Sequence, residues 1–194
     1  MKKLMYLFSL CFLLSVTYVF GQKEAPKLPI DNSTRKITYT EVVFVDSLTN
    51  KQELFSRAKE WFAKTFQSST NVIQMEDKED GKIIGKALLP IYNKTLGDFG
   101  HIHYTISIFL KDGRYKYELS DFYHKGQILS NGDRAVDIGS CESMINTIDK
   151  NLFGGSMQKT YNNYLNQMDI HAKELIFSLK SFMAKKLTKT ENDW

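Results

Sequence analysis

The sequence predicts an α+β fold, a mainly antiparallel sheet with helices packed on one face, in the order β-α-β-β-β-β-α. Three observations carry this. Residues 101–111 and 114–124 alternate apolar and polar on either side of Asp112-Gly113, a two-residue turn signature. Residues 50–67 and 157–187 carry apolar side chains at helical spacing. Residues 37–46 (ITYTEVVFVD) are β-branched and aromatic, as strands are.

The chain has 194 residues, 42% hydrophobic and 25% charged, which fits one globular domain at about 150 residues per domain. Residues 1–21 stand outside that domain. Lys2 and Lys3 precede an apolar stretch from Leu4 to Phe20, and Val19-Phe20-Gly21 is a signal-peptidase pattern. The reading is a signal peptide cleaved after Gly21. It implies export to the periplasm or beyond, with no membrane span after cleavage. Removing Lys2 and Lys3 from 26 basic residues leaves 24 against 22 acids, so nothing in the charge balance points to nucleic acid. Only Cys141 remains of the two cysteines, which excludes an internal disulfide.

Residues 22–36 hold two of the three prolines and read as a flexible leader, followed by a single domain over 37–190. The run Val42-Val43-Phe44-Val45 fits a central strand covered on both faces. The helix at 50–67 has Thr49 and Asn50 as candidate N-caps, with Gln52 and Glu53 completing a capping box. Leu54, Ala58, Trp61, Phe62 and Thr65 form its stripe, while Lys51, Arg57, Lys59, Glu60 and Lys64 fall largely outside it. Strands 72–77 and 82–92 flank a turn at 78–81, and 93–100 is a connection.

Asp112-Gly113 is a type I′ signature, so Lys111 is expected to face Arg114. Continued outward, this register puts Ile102/Tyr123, Tyr104/Asp121, Ile106/Leu119, Ile108/Tyr117 and Leu110/Tyr115 on the core face. The other face would carry His101/His124, His103/Phe122, Thr105/Ser120, Ser107/Glu118 and Phe109/Lys116, open to solvent or a partner. A polar loop at 125–139 leads to a short helix at 140–153 with Met144, Ile145, Ile148 and Leu152 inward. The long helix at 157–187 follows, with Tyr161, Tyr164, Leu165, Met168, Ala172, Leu175, Leu179, Phe182 and Met183 in one stripe.

This element order fits a half of a TATA-binding-protein-like (TBP-like) fold. It also fits a helix-grip fold, whose last helix closes a ligand cavity over a curved sheet. The segment VVFVDSLTNKQELFSRAKEWFAKTF (42–66), with Phe55, Ala58 and Trp61, resembles a Bacteroidetes-type family of exported proteins. The strand HIHYTISI fits it as well. That family is known only as a domain of unknown function with a TBP-like fold. The resemblance covers roughly residues 37–125 and implies the fold, with no catalytic or binding residue to carry over.

Several constellations could carry chemistry. His101, His103 and His124 could hold Zn²⁺ or Cu²⁺ if the register brings them to one face. Cys141 opens the short helix, where the helix dipole lowers a thiol pKa. Asp133, Arg134 and Asp137 offer polar groups for a ligand or partner. Tyr104, Tyr115, Tyr117 and Tyr123 are expected to share the inward face, as core or as cavity lining. No nucleophile elbow, zinc-helix motif, phosphate loop or dinucleotide fingerprint is present, and the sequence calls for no cofactor. The sequence therefore points to a non-catalytic binding module of the envelope, engaging a protein or glycan. The alternatives are a carrier of a small apolar ligand and a metal-assisted enzyme.

Overall fold

The computed structural model describes residues 26–93, 97–126, 137–152 and 154–185. Its elements are β1 (Tyr39–Phe44), α1 (Lys51–Thr65), α2 (Ser69–Val72), β2 (Ile73–Asp77) and β3 (Lys82–Asn93). Then come β4 (Gly97–Lys111), β5 (Arg114–Gly126), β6 (Gly139–Ser140), α3 (Cys141–Asp149) and α4 (Gly155–Met183). The six strands form one antiparallel sheet in the order β1-β5-β4-β3-β2, and β6 pairs with the far part of β5. The helices cover one side of it.

The central strands are the long alternating hairpin. Ile102, Tyr104, Ile106, Ile108 and Leu110 of β4 are buried, as are Tyr115, Tyr117 and Leu119 of β5. Leu54, Phe55, Ala58, Trp61 and Phe62 of α1 bury against this face, as do Tyr164, Leu165, Met168, Ala172, Leu175, Leu179 and Met183 of α4. At Gly85 the Phe62 ring of α1 packs close on β3: an added Cβ would lie 2.8 Å from it. Only glycine allows that approach.

Asn50 caps α1, its side chain accepting from the Glu53 N–H at 2.8 Å. The β4–β5 turn docks on the same helix end. Asp112 Oδ1 accepts from the Lys51 N–H at 2.6 Å, and the Gly113 N–H donates to the Thr49 carbonyl at 2.9 Å. These contacts change the expected turn type. Gly113 has φ 69°, but Asp112 is not among the described residues with positive φ, as type I′ requires.

Other expectations are corrected too. β1 is an edge strand, not a central one. Val43 packs against the core, while Val42 and Phe44 are 49% and 72% exposed on the other side. The connection at 93–100 is largely strand, since β4 already pairs with β3 from Gly97. Thr65 is exposed, and so is Leu152, which lies past the end of α3. Arg57 is buried: it donates to the Met183 carbonyl at 2.7 Å and pairs with Glu53. A guanidinium thus meets the C-terminal carbonyls of α4, where a positive charge is favoured. The segment before β1 folds on itself. Ile30 bridges Ile37, and Asp31 accepts from the Ser33 hydroxyl and the Thr34 N–H, holding its carboxyl down to about 2.

Candidate functional site

The hairpin register decides where the candidate residues lie. Lys111 faces Arg114, and the expected pairing holds out to Thr105 and Ser120. Beyond that it shifts by one residue. Asp121 is the inserted residue, in a left-handed conformation with φ 56° and its carboxylate 2.6 Å from Lys36 Nζ. A bulge of one residue exchanges the faces of everything after it. Phe122 and His124 therefore turn into the core, and Tyr123 turns out. His103 now pairs with Tyr123, and Ile102 with His124.

The three histidines thus do not converge. His101 and His103 lie on the open side, and His124 lies under α4 at 2% exposure. Its ring stacks on Tyr164 with centroids 5.6 Å apart, and its Nδ1 accepts from the Ile138 N–H at 3.3 Å. Burial lowers its pKa, against the opposing pull of Asp137. Among the described residues no group of three or more His, Cys, Asp or Glu could hold a metal ion. His103 is also lowered, first by burial and then by the Lys125 charge.

Cys141 departs from expectation in the same way. It opens α3 but is fully buried, and burial pushes its thiol up to about 12, with Glu142 adding to the effect. Desolvation outweighs the helix dipole, so the thiolate is disfavoured. Asp133 and Arg134 lie outside the described residues. Asp137 Oδ1 accepts from the Gly126 N–H at 2.7 Å, which ties the end of β5 to the chain entering β6.

Three of the inward tyrosines find protein partners. Tyr104 OH lies 3.0 Å from His171 Nε2, and Tyr117 OH donates to Glu41 at 2.9 Å. Glu41 also takes Lys180, and these contacts lower its pKa. Tyr39 OH donates to Asp169 at 2.8 Å, and Lys173 holds the other oxygen of that carboxylate. Tyr115 is buried with its hydroxyl unpartnered. Sequence reasoning did not find these α4-to-β1 links, because their partners lie far apart in the chain.

The opposite face of the sheet is the candidate site. Its side chains follow from the strand pairings as rows across the sheet. One row reads Lys111, Arg114, Phe44; the next reads Lys82, Phe109, Lys116, Val42. Further along come Leu88, His103 and Tyr123, then Pro90, His101 and Lys125. Leu88 is 52% exposed and Tyr123 41%. Lys82, Lys86, Lys111, Arg114, Lys116 and Lys125 outnumber the acids Asp77 and Glu118 that share this face with them. Phe109 lies between Lys82 and Lys116, each Nζ 5.7 Å from its ring centroid. A depression of about 440 Å³ opens here, lined by Val42, Phe109, Lys111, Arg114, Tyr115 and Lys116.

Residues 39–125, the sheet from β1 to β5 with α1, match the profile of a family described as "Domain of unknown function (DUF4468) with TBP-like fold". Over that stretch the chain is similar to the DUF4468 family. The solved structures agree on the fold. A TBP-like protein from Parabacteroides distasonis superposes with a TM-score of 0.56 at 20% identity, over 79% of this chain and 97% of that one. A DUF4468 family protein from Bacteroides ovatus gives 0.55 at 13% identity, over 89% and 96%. At these identities the likeness concerns the fold alone. No curated protein matches the chain. The fold is thus TBP-like, and the DUF4468 description assigns no activity to any residue named above. Among the described residues no helix is long and apolar enough to cross a membrane.

Proposed function

We propose that the chain is an exported, non-catalytic interaction module of the cell envelope that works through the open face of its sheet. The observation that carries this reading is the pairing of exposed apolar side chains with cations on that face. Val42, Phe44, Leu88 and Tyr123 stand beside Lys86, Lys111, Arg114 and Lys125 there. Exposed apolar side chains interleaved with charge are what interaction sites present. The polar groups on the helix side of the sheet favour a structural role instead. His171, Asp169 and Glu41 each hold a tyrosine hydroxyl, so these tips serve packing and are not left to a ligand. Export rests on residues 1–21 and places the partner in the envelope.

Site-specific photocrosslinking in the native host tests this. A crosslinker in place of Leu88 is expected to capture a defined partner, and one in place of Glu174 on the outer side of α4 is not. Adducts from Glu174 alone, or from neither position, overturn the reading. Mature protein beginning at Gln22 in the envelope fraction is the expected result for export, and a cytoplasmic full-length chain refutes it.

A further inference from the structure

We infer that the turn end of the open face docks an acidic polypeptide segment that also carries apolar side chains. This rests on the interaction reading above and names its partner's chemistry. Four cations crowd this end: Lys82, Lys111, Arg114 and Lys116. The Phe109 ring holds two of them, Lys82 and Lys116, against its surface. Cations brought together in this way repel, and a bound carboxylate relieves the repulsion. Glu118 reaches only Lys116, at 3.3 Å, and Lys111 and Arg114 meet no carboxylate among the described residues.

The apolar part narrows the occupant. Val42 and Phe44 stand exposed on the edge strand, in the same rows as Lys116 and Arg114. An extended segment with acidic and apolar side chains satisfies both sets. An acidic glycan or a nucleic acid would satisfy the cations without supplying apolar side chains for Phe44. The faces of Phe109 are engaged by lysines, so it is not a platform on which bases stack. A second copy of this chain, face to face, would set cations against cations, which costs affinity.

Fluorescence anisotropy on the purified protein tests the inference with four labelled probes: a glutamate–tyrosine copolymer, polyglutamate, heparin and an oligothymidylate. The copolymer is expected to bind about tenfold more tightly than the others, since only it supplies both charge and apolar contact. Raising salt from about 50 to 200 mM is expected to weaken it several-fold. The double variant Lys111→Glu/Arg114→Glu is expected to lose about tenfold, while Lys159→Glu on α4 changes nothing. Phe44→Ser is expected to weaken the copolymer and leave polyglutamate unchanged. Tighter binding of heparin or oligothymidylate overturns the inference, as does full copolymer binding by a folded double variant. If Leu88 crosslinks a partner and the copolymer does not bind, the inference falls and the interaction reading stands.

Discussion

Under the helices, Glu41 takes Lys180 and the Tyr117 hydroxyl, and Asp169 takes Tyr39 and Lys173. Arg57 reaches Glu53 and the last turn of α4. Across the same sheet, Lys86, Lys111, Arg114 and Lys125 meet no carboxylate among the described residues. Desolvation explains the buried members, Arg57 and Asp169, while Glu41, Lys180 and Lys173 pair though partly exposed. A charge removed from water must find a partner, and one left in water need not. The covered face therefore spends its polar groups on holding α4 to β1, and the open face keeps its own available.

The largest effect on that comparison is expected from the covered side. Trp61 is fully buried, packs edge-on against Phe62 and Phe66, and donates from Nε1 to Ser178 at 3.1 Å. It joins α1 to α4. Trp61→Ala is expected to cost about 3–5 kcal/mol in urea unfolding. A loss below about 1 kcal/mol would mean that the two helices do not depend on one another.

Asp121 controls which residues belong to which face. Asp121→Gly removes the strain of a left-handed L-residue and an exposed ion pair, each worth about 1 kcal/mol, so little net change is expected. Asp121→Val puts a β-branched side chain at φ 56° and is expected to cost about 1–2 kcal/mol more than glycine. Equal stability of the two variants would show that the bulge relaxes away.

This bulge also marks the limit of what the residues reveal. The alternation in β4 and β5 is a local pattern, and it identifies the core face correctly from the turn to Thr105 and Ser120. The inserted residue has no such signature. It is an aspartate in a strand, held by Lys36 from 85 positions away. His124 was therefore expected beside His101, and the supposed metal site was an artefact of continuing a regular register. The run Val42–Val45 misleads for a related reason: four apolar residues fit two-sided burial, yet half of them face water at an edge. Arg57 looked like a solvated cation because its partner, the end of α4, lies 126 residues on. The open face itself was legible as the polar side of the hairpin. Its cationic excess appears only once β3 and β5 are set on either side of β4.

A pH titration probes the covered face next. His124 and His171 lie between the sheet and α4, and burial lowers the pKa of each, with Asp137 and Glu174 opposing. The unfolded chain, with histidines near 6.5, therefore takes up protons before the folded one. Stability is fully present above that pH and is lost as pH falls through it toward the folded-state values. His171→Gln can keep the Tyr104 contact and does not titrate. Its melting temperature is expected to fall less steeply than the parent's between about pH 7 and 5. Carboxylates common to both proteins cancel in the comparison, so an unchanged slope would remove His171 as a source.

The smallest effect is expected on the open side, and it tests the comparison most directly. Leu88 lies in β3 between Ala87 and Leu89, both turned toward the helices, and pairs with His103. If nothing in the chain covers it, Leu88→Ser removes a side chain already half in water and leaves the backbone ladder intact. The change is then expected to stay within about 0.5 kcal/mol in urea unfolding. A cost of about 2 kcal/mol or more would match the burial of a whole leucine. Such a result would mean that another part of the chain packs on this face in solution. The cations around Phe109 would then have an internal role, and the contrast between a covered and an open face would disappear.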